Sequence, residues 1–233
     1  MHGPYISAMK SHSISRRQFA LGAGGLLAGA LAGCAGSSPA MRTLGAVMNQ
    51  RFGGDPFTRE QVESLPYATL AVSLGNLPRA MLVLMRIEGE DMHWVAADKG
   101  VVVTRHGRIV KTVGLADGNL ANTVMLETDP LAPTGEWRQP RRWRRSVDWQ
   151  PGSEFGVTLA ADWQPEGAEE IHTFMGPRRL LRAKEIGLAS PGDRVLENRF
   201  WIEEETGRVV ASLQQIAPKI PAVRLEVLKP YRA

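Results

Sequence analysis

From Tyr67 onward the apolar residues fall into short β-rich runs separated by turn residues. Runs at 69–74, 80–87, 92–96, 101–105 and 109–113 are followed, after a gap, by 155–160, 170–174, 179–186, 199–202, 209–216 and 223–228. His106-Gly107 and Glu203-Glu204-Glu205-Thr206-Gly207 each join two runs, and glycine tolerates the positive φ that a tight hairpin turn needs. Strands at this spacing, with no βαβ rhythm, predict an all-β fold, mainly an antiparallel sandwich or barrel of short strands and hairpins. Upstream, Thr58 and Gln61 stand at capping-box spacing and Leu65-Pro66 closes the segment, which predicts a short N-terminal helix. Leu44, Val47 and Met48 share one face of a weaker helix before it.

The apolar stretch from Phe19 to Leu31 is of another kind, rich in Gly and Ala and preceded by Lys10, Arg16 and Arg17. It ends in Leu31-Ala32-Gly33-Cys34, the pattern of a bacterial lipobox, and Cys34 is the one cysteine of the chain. Charged region, apolar region and cleavage site in this order read as a signal peptide. Small residues before Cys34 admit the peptidase, and the thiol accepts a diacylglycerol. Ser15-Arg16-Arg17-Gln18-Phe19 also resembles the twin-arginine export signal through Arg16, Arg17 and Phe19. Three segments follow: a signal peptide over 1–33, a lipidated tether over 34–55, and one β-rich periplasmic domain over 56–233. Ala35 stands where Asp would favour inner-membrane retention, so the expected location is the outer membrane, facing the periplasm. The membrane is thus the first expected partner, held through acyl chains on Cys34.

Cleavage changes the charge balance. Without Lys10, Arg16 and Arg17, 25 of the 28 basic residues stand against 24 acidic ones. Bulk charge then gives no argument for nucleic acid. An acylated Cys34 leaves no thiol for a disulfide, a zinc site or a nucleophile, so the fold rests on its apolar core.

Signals for chemistry are sparse. His93, His106 and His172 lie far apart with no second ligand nearby, and Gly152-Ser153-Glu154-Phe155-Gly156 resembles a nucleophile elbow only superficially. His106, beside Gly107, reads as a solvated turn histidine. Glu169-Glu170 and Glu203-Glu204-Glu205 read as solvated edges and turns. No cofactor, metal or catalytic residue is expected. The site-like feature is Trp137–Trp149, a loop-like stretch that includes Arg141, Arg142, Trp143, Arg144, Arg145 and Trp149. Arginine forks pair with carboxylates and indoles stack on sugars, which suits an acidic polysaccharide. The alternative is that the arginines pair with the chain's own glutamates while Trp143 and Trp149 fill the core. Trp163 and Trp201, in apolar strands, are expected core residues.

Several motifs in order carry a resemblance: Leu65-Pro66-Tyr67-Ala68, Leu82-Val83-Leu84, Asp129-Pro130-Leu131, Asp148-Trp149-Gln150-Pro151-Gly152, Asn198-Arg199-Phe200-Trp201 and Glu226-Val227-Leu228-Lys229-Pro230-Tyr231. From about Leu65 to the end the chain resembles the YjbF/GfcB family of group 4 capsule and exopolysaccharide lipoproteins. That resemblance implies an accessory protein of extracellular polysaccharide production with a β-rich periplasmic domain, and it brings no catalytic residues. Other exopolysaccharide export proteins join acidic polysaccharide as expected partners. Three classes remain: a non-catalytic binding or scaffolding lipoprotein, a carrier or sensor of lipid-like ligands with a large apolar cavity, and a polysaccharide-modifying enzyme.

Overall fold

The computed structural model describes residues 56–232, apart from 116, 117, 151, 153 and 193. The signal segment with Arg16, Arg17 and Phe19, the lipobox Cys34 and the tether lie outside the described residues. Helix α1 (Arg59–Ser64) starts where the capping box places it, with Gln61 N donating to Thr58 Oγ1 and Thr58 N to Gln61 Oε1. The strands are β1 (Thr69–Leu74), β2 (Ala80–Glu88), β3 (Asp91–Ala96), β4 (Val101–Arg105), β5 (Arg108–Val113) and β6 (Asn119–Met125). They continue with β7 (Arg141–Gln150), β8 (Glu154–Thr173), β9 (Gly176–Ser190), β10 (Arg194–Ile202), β11 (Val209–Gln214) and β12 (Val223–Lys229).

Of the two expected architectures, the chain adopts the barrel. The hydrogen-bonded order runs β5-β4-β3-β2-β1-β12-β11-β10-β9-β8-β7-β6, so each strand pairs with its neighbour in sequence and β12 pairs with β1. The ladder is interrupted only between β5 and β6, where the Thr112 hydroxyl accepts from Leu120 N at 3.0 Å. The result is a nearly closed antiparallel meander, a form that leaves little unpaired sheet edge.

The stretch expected to be a loop is strand β7. Its burial alternates, with Trp143, Arg145, Val147 and Trp149 inside and Arg142 and Arg144 outside. An arginine in an inward slot breaks the apolar alternation by which a strand is recognised. The separate runs at 155–160 and 170–174 belong to one long strand, β8. Gln164-Pro165-Glu166-Gly167 sits at a bulge in the β8–β9 ladder instead of a turn.

Beyond that bulge the β8–β9 hairpin bends over the outer face of the barrel. Phe174 N donates to Glu226 on β12 at 2.5 Å, and the Phe174 ring lies 5.5 Å from that of Phe57. Trp201, expected in the core, is half-buried on the outer face beneath this arm and donates to Glu169. Phe57, Val62, Ala71 and Leu228 form a small outer cluster under the arm and α1. Among the described residues the three buried clusters run from Phe57 to Leu228.

One hairpin enters the barrel. The β4–β5 turn has positive φ at His106 (51°) and Gly107 (87°), and Gln214 of β11 binds its backbone, donating to Gly107 O and accepting from Ile109 N, both at 2.9 Å. A Cβ on Gly107 would lie 2.4 Å from Val209 Cβ. Gly107→Ala should therefore destabilise by roughly 2–5 kcal/mol, overpacking added to left-handed strain. Gly89→Ala, at a φ of +59° with nothing within 4 Å, should cost only about 1–2 kcal/mol. Urea unfolding of both variants measures the difference.

Candidate functional site

Strand β7 divides the expected site between two environments. Arg142 and Arg144 point outward, at 2.7 Å from Asp162 and 2.8 Å from Glu127, and Arg141 is half-buried at the start of the strand. Trp143 and Arg145 are buried in the barrel, and so is Trp149, whose indole donates to Ile216 O at 2.8 Å. These six residues therefore form no single exposed groove.

What the interior gathers instead is a buried charge cluster around Arg108, the first residue after the inserted turn. Its guanidinium donates to both oxygens of Asp129, at 2.5 and 3.0 Å, and to both of Glu185, at 2.9 and 2.8 Å. It lies between the rings of Trp143 and Phe200, 4.5 and 5.1 Å from their centroids. Glu185 also meets Arg145 at 3.0 Å and accepts from Trp143 Nε1 at 3.1 Å and Asn198 Nδ2 at 2.8 Å. Exposure is 1% for Arg108, 0% for Glu185, 4% for Asp129 and 5% for Arg145. Two guanidiniums and two carboxylates thus balance in the buried interior.

The titrations follow from that geometry. Burial opposes ionisation of Glu185, but the charges of Arg108 and Arg145 outweigh it and hold the carboxyl down to about 2. Burial likewise opposes the charge on Arg108, and Asp129 and Glu185 override it to raise its pKa. For Arg145 burial, reinforced by the Arg108 charge, outweighs the pull of Glu185 and lowers its pKa.

Asp129 lies in the β6–β7 connection and also accepts from Leu131 N at 2.9 Å. Further along, Trp137 O accepts from Trp163 Nε1 at 2.8 Å, and Arg138 donates to Glu204 O. The connection is thereby fixed to one end of the barrel, against the β10–β11 hairpin.

At that end a cavity of about 530 Å³ opens between the β2–β3, β4–β5 and β10–β11 turns and the end of β12. Leu70, Met92, Trp94, Leu131, Val210 and Leu225 supply apolar wall. Ile87 and Tyr231 at the rim are 38% and 44% exposed, so the cavity communicates with solvent. His106, read from sequence as a solvated turn residue, lines the cavity with Nε2 at 3.2 Å from Glu90 and its side chain 20% exposed. His93 faces a different carboxylate, Glu88, at 3.1 Å.

A family profile described as "Group 4 capsule polysaccharide lipoprotein gfcB, YjbF" matches residues 42–228. The chain belongs to the YjbF family. The Escherichia coli (strain K12) lipoprotein GfcB is 30% identical over 174 residues, covering 73% of this chain and 80% of that one. The lipoprotein YjbF of the same organism is 26% identical over 179 residues, covering 76% and 82%. The crystal structure of the Escherichia coli (K12) lipoprotein YmcC superposes with a TM-score of 0.68 at 26% identity, over 85% of this chain and 98% of that one. The motifs that carry the family resemblance include fold-locking residues: Asp129, Asn198 and Phe200 all touch the buried cluster. Asp148 accepts from Gly156 N at 2.7 Å beside the bulge that ends the β7–β8 ladder. Arg108 and Glu185 were missed in the sequence, where only a charged residue beside Ile109-Val110 hints at the first.

Arg108→Met should destabilise the barrel by roughly 3–5 kcal/mol, because it strands Asp129 and Glu185 without their counter-charge. Denaturant unfolding reads this directly. The depressed Glu185 pKa adds stability that is complete above its ordinary value of 4.5 and is lost as pH falls toward about 2. That contribution is on the order of 3 kcal/mol, and the difference in stability between wild type and Glu185→Gln should shrink over this window.

Proposed function

We propose that this lipoprotein is a non-catalytic accessory of capsule or exopolysaccharide production and export, acting by binding. In this reading acylated Cys34 holds it at the outer membrane with the barrel in the periplasm. Membership of a family described by capsule polysaccharide supports the process. The observation that carries the binding role is the contrast between the two interior regions. Arg108, Asp129, Glu185 and Arg145 are shut away from solvent and consumed by one another, while the cavity that solvent reaches offers mainly apolar wall. A polysaccharide-modifying enzyme would need two carboxylates, or a serine and a histidine, converging in that cleft. The lining holds a single carboxylate, Glu90, which faces His106, and its serine, Ser212, accepts from Gln214 Nε2 at 2.8 Å.

An acidic polysaccharide would meet the members of the basic stretch left outside, Arg142 and Arg144. Their exposed pairs with Asp162 and Glu127 are of a kind worth only about 0–1 kcal/mol, so a polymer's carboxylates can take over these partners. The export proteins remain the other partner class in this reading.

A strain lacking the protein tests it. Secreted polysaccharide should fall in the deletion strain and return with the wild-type gene. Cys34→Ala should restore little, and Arg142→Glu with Arg144→Glu should restore an intermediate amount. The chain from Ala35, incubated with purified polymer, should leave the polymer's length unchanged. Shortened polymer would replace the binding role with an enzymatic one, and undiminished secretion in the deletion strain would remove the protein from the process.

A further inference from the structure

We infer that the cavity at the open end of the barrel binds a single aliphatic chain, the apolar tail of a membrane amphiphile. The inference rests on the reading above that the protein works by binding, and it names the ligand class. Size comes first. At roughly 30 Å³ per water-sized group, a cavity of about 530 Å³ accommodates a chain of some 16–18 methylenes. Chemistry comes second. Leu70, Met92, Trp94, Leu131, Val210 and Leu225 make most of the wall, and polar lining groups are engaged with one another: Glu90 faces His106, Thr104 accepts from Trp94 and Ser212 from Gln214. Few partners are left for the hydroxyls of a sugar, whose burial without hydrogen bonds is costly. A hydrocarbon chain carries no such cost and gains from every methylene taken out of water.

The surroundings of the mouth supply the third argument. Beside the cavity runs an open groove that shares Ile87, Pro230 and Tyr231 with it and continues over Tyr67 and Met85. Tyr67 and Met85 are each 57% exposed, and Lys229 and Arg232 border the same groove. Exposed Tyr, Met and Ile flanked by cations are the side chains that settle at a bilayer's headgroup level. The end of α1 reaches this side as well, where Lys229 Nζ donates to the carbonyls of Glu63 and Leu65, while Pro56 and Phe57 lie beside Pro78, Arg79 and Met81 at the other end of the barrel.

Cis-parinaric acid is a suitable probe, because Trp94 and Trp137 line the cavity and can transfer excitation to it. With the chain from Ala35, sensitised emission should saturate at one probe per protein. Palmitate and farnesyl phosphate then compete in separate arms: displacement by palmitate assigns an acyl chain, and displacement by farnesyl phosphate assigns an isoprenoid one. Ala132→Trp, which fills the cavity from the β6–β7 connection, and Ile87→Glu, which sets a carboxylate in the mouth, should each weaken binding about tenfold or more with unchanged thermal unfolding. Emission that never saturates, or saturable binding that both folded variants retain, overturns the inference. The two readings fail separately. Saturable chain binding that these variants abolish, with secretion undiminished in the deletion strain, would sink the functional proposal and leave the ligand assignment standing. Secretion that depends on the protein while no chain binds would do the reverse.

Discussion

Arg108 enters the barrel one residue after a turn that is itself pushed inside, and its guanidinium ends between two aromatic rings with almost no exposure to water. A charge in that position is tolerated only if everything around it is arranged on its behalf. Asp129 must come in from the β6–β7 connection, Glu185 from β9, and Asn198 and Trp143 must then occupy the remaining hydrogen-bonding capacity of Glu185. The cluster therefore ties the inserted hairpin, a long connection and strands from the opposite wall to one point. Its net worth relative to an apolar core of equal volume need not be large. Its effect is on uniqueness: each of these groups has one place where it is satisfied, and a shifted register would leave a bare charge in the interior.

The cavity follows from the same arrangement. A twelve-stranded barrel encloses more space than its own side chains fill easily. Here the inserted hairpin and the charged cluster take up the middle, and the space beyond them is left at one end. Trp137 and the β10–β11 hairpin brace that end through Trp163 and Glu204, so its wall is held by hydrogen bonds made elsewhere. The solvent-reachable apolar volume and the buried polar core are two outcomes of one packing solution.

Much of this was legible in the chain. Strands β1 to β5 and β10 to β12 announced themselves through short β-rich runs with glycine-bearing turns, and the capping box at Thr58 placed α1. Strand β7 was not legible, because Arg145 occupies an inward slot where a binary pattern requires an apolar residue. Its partner Glu185 lies 40 residues away in sequence, on another strand. Pro165 and Gly167 disguised a bulge as a turn and cut one strand into pieces. The cavity was foreseen only as a property that a lipid carrier would need. Its walls come from segments spread along most of the domain, and empty space has no motif.

The meander also dictates an order of events in folding. Each strand after β1, apart from β6, can pair with the one made just before it, so most hairpins form with little entropy to overcome. The pairing of β12 with β1 is different, joining residues such as Thr69 and Lys229 from opposite ends of the domain. Until the final strand is available, β1 presents an unpaired edge and an apolar inner face to its surroundings. The closing seam, between the first strand and the last, is where a chaperone would have to stand guard, and α1 acquires its full seat on Ala71 and Leu228 only once that seam has shut.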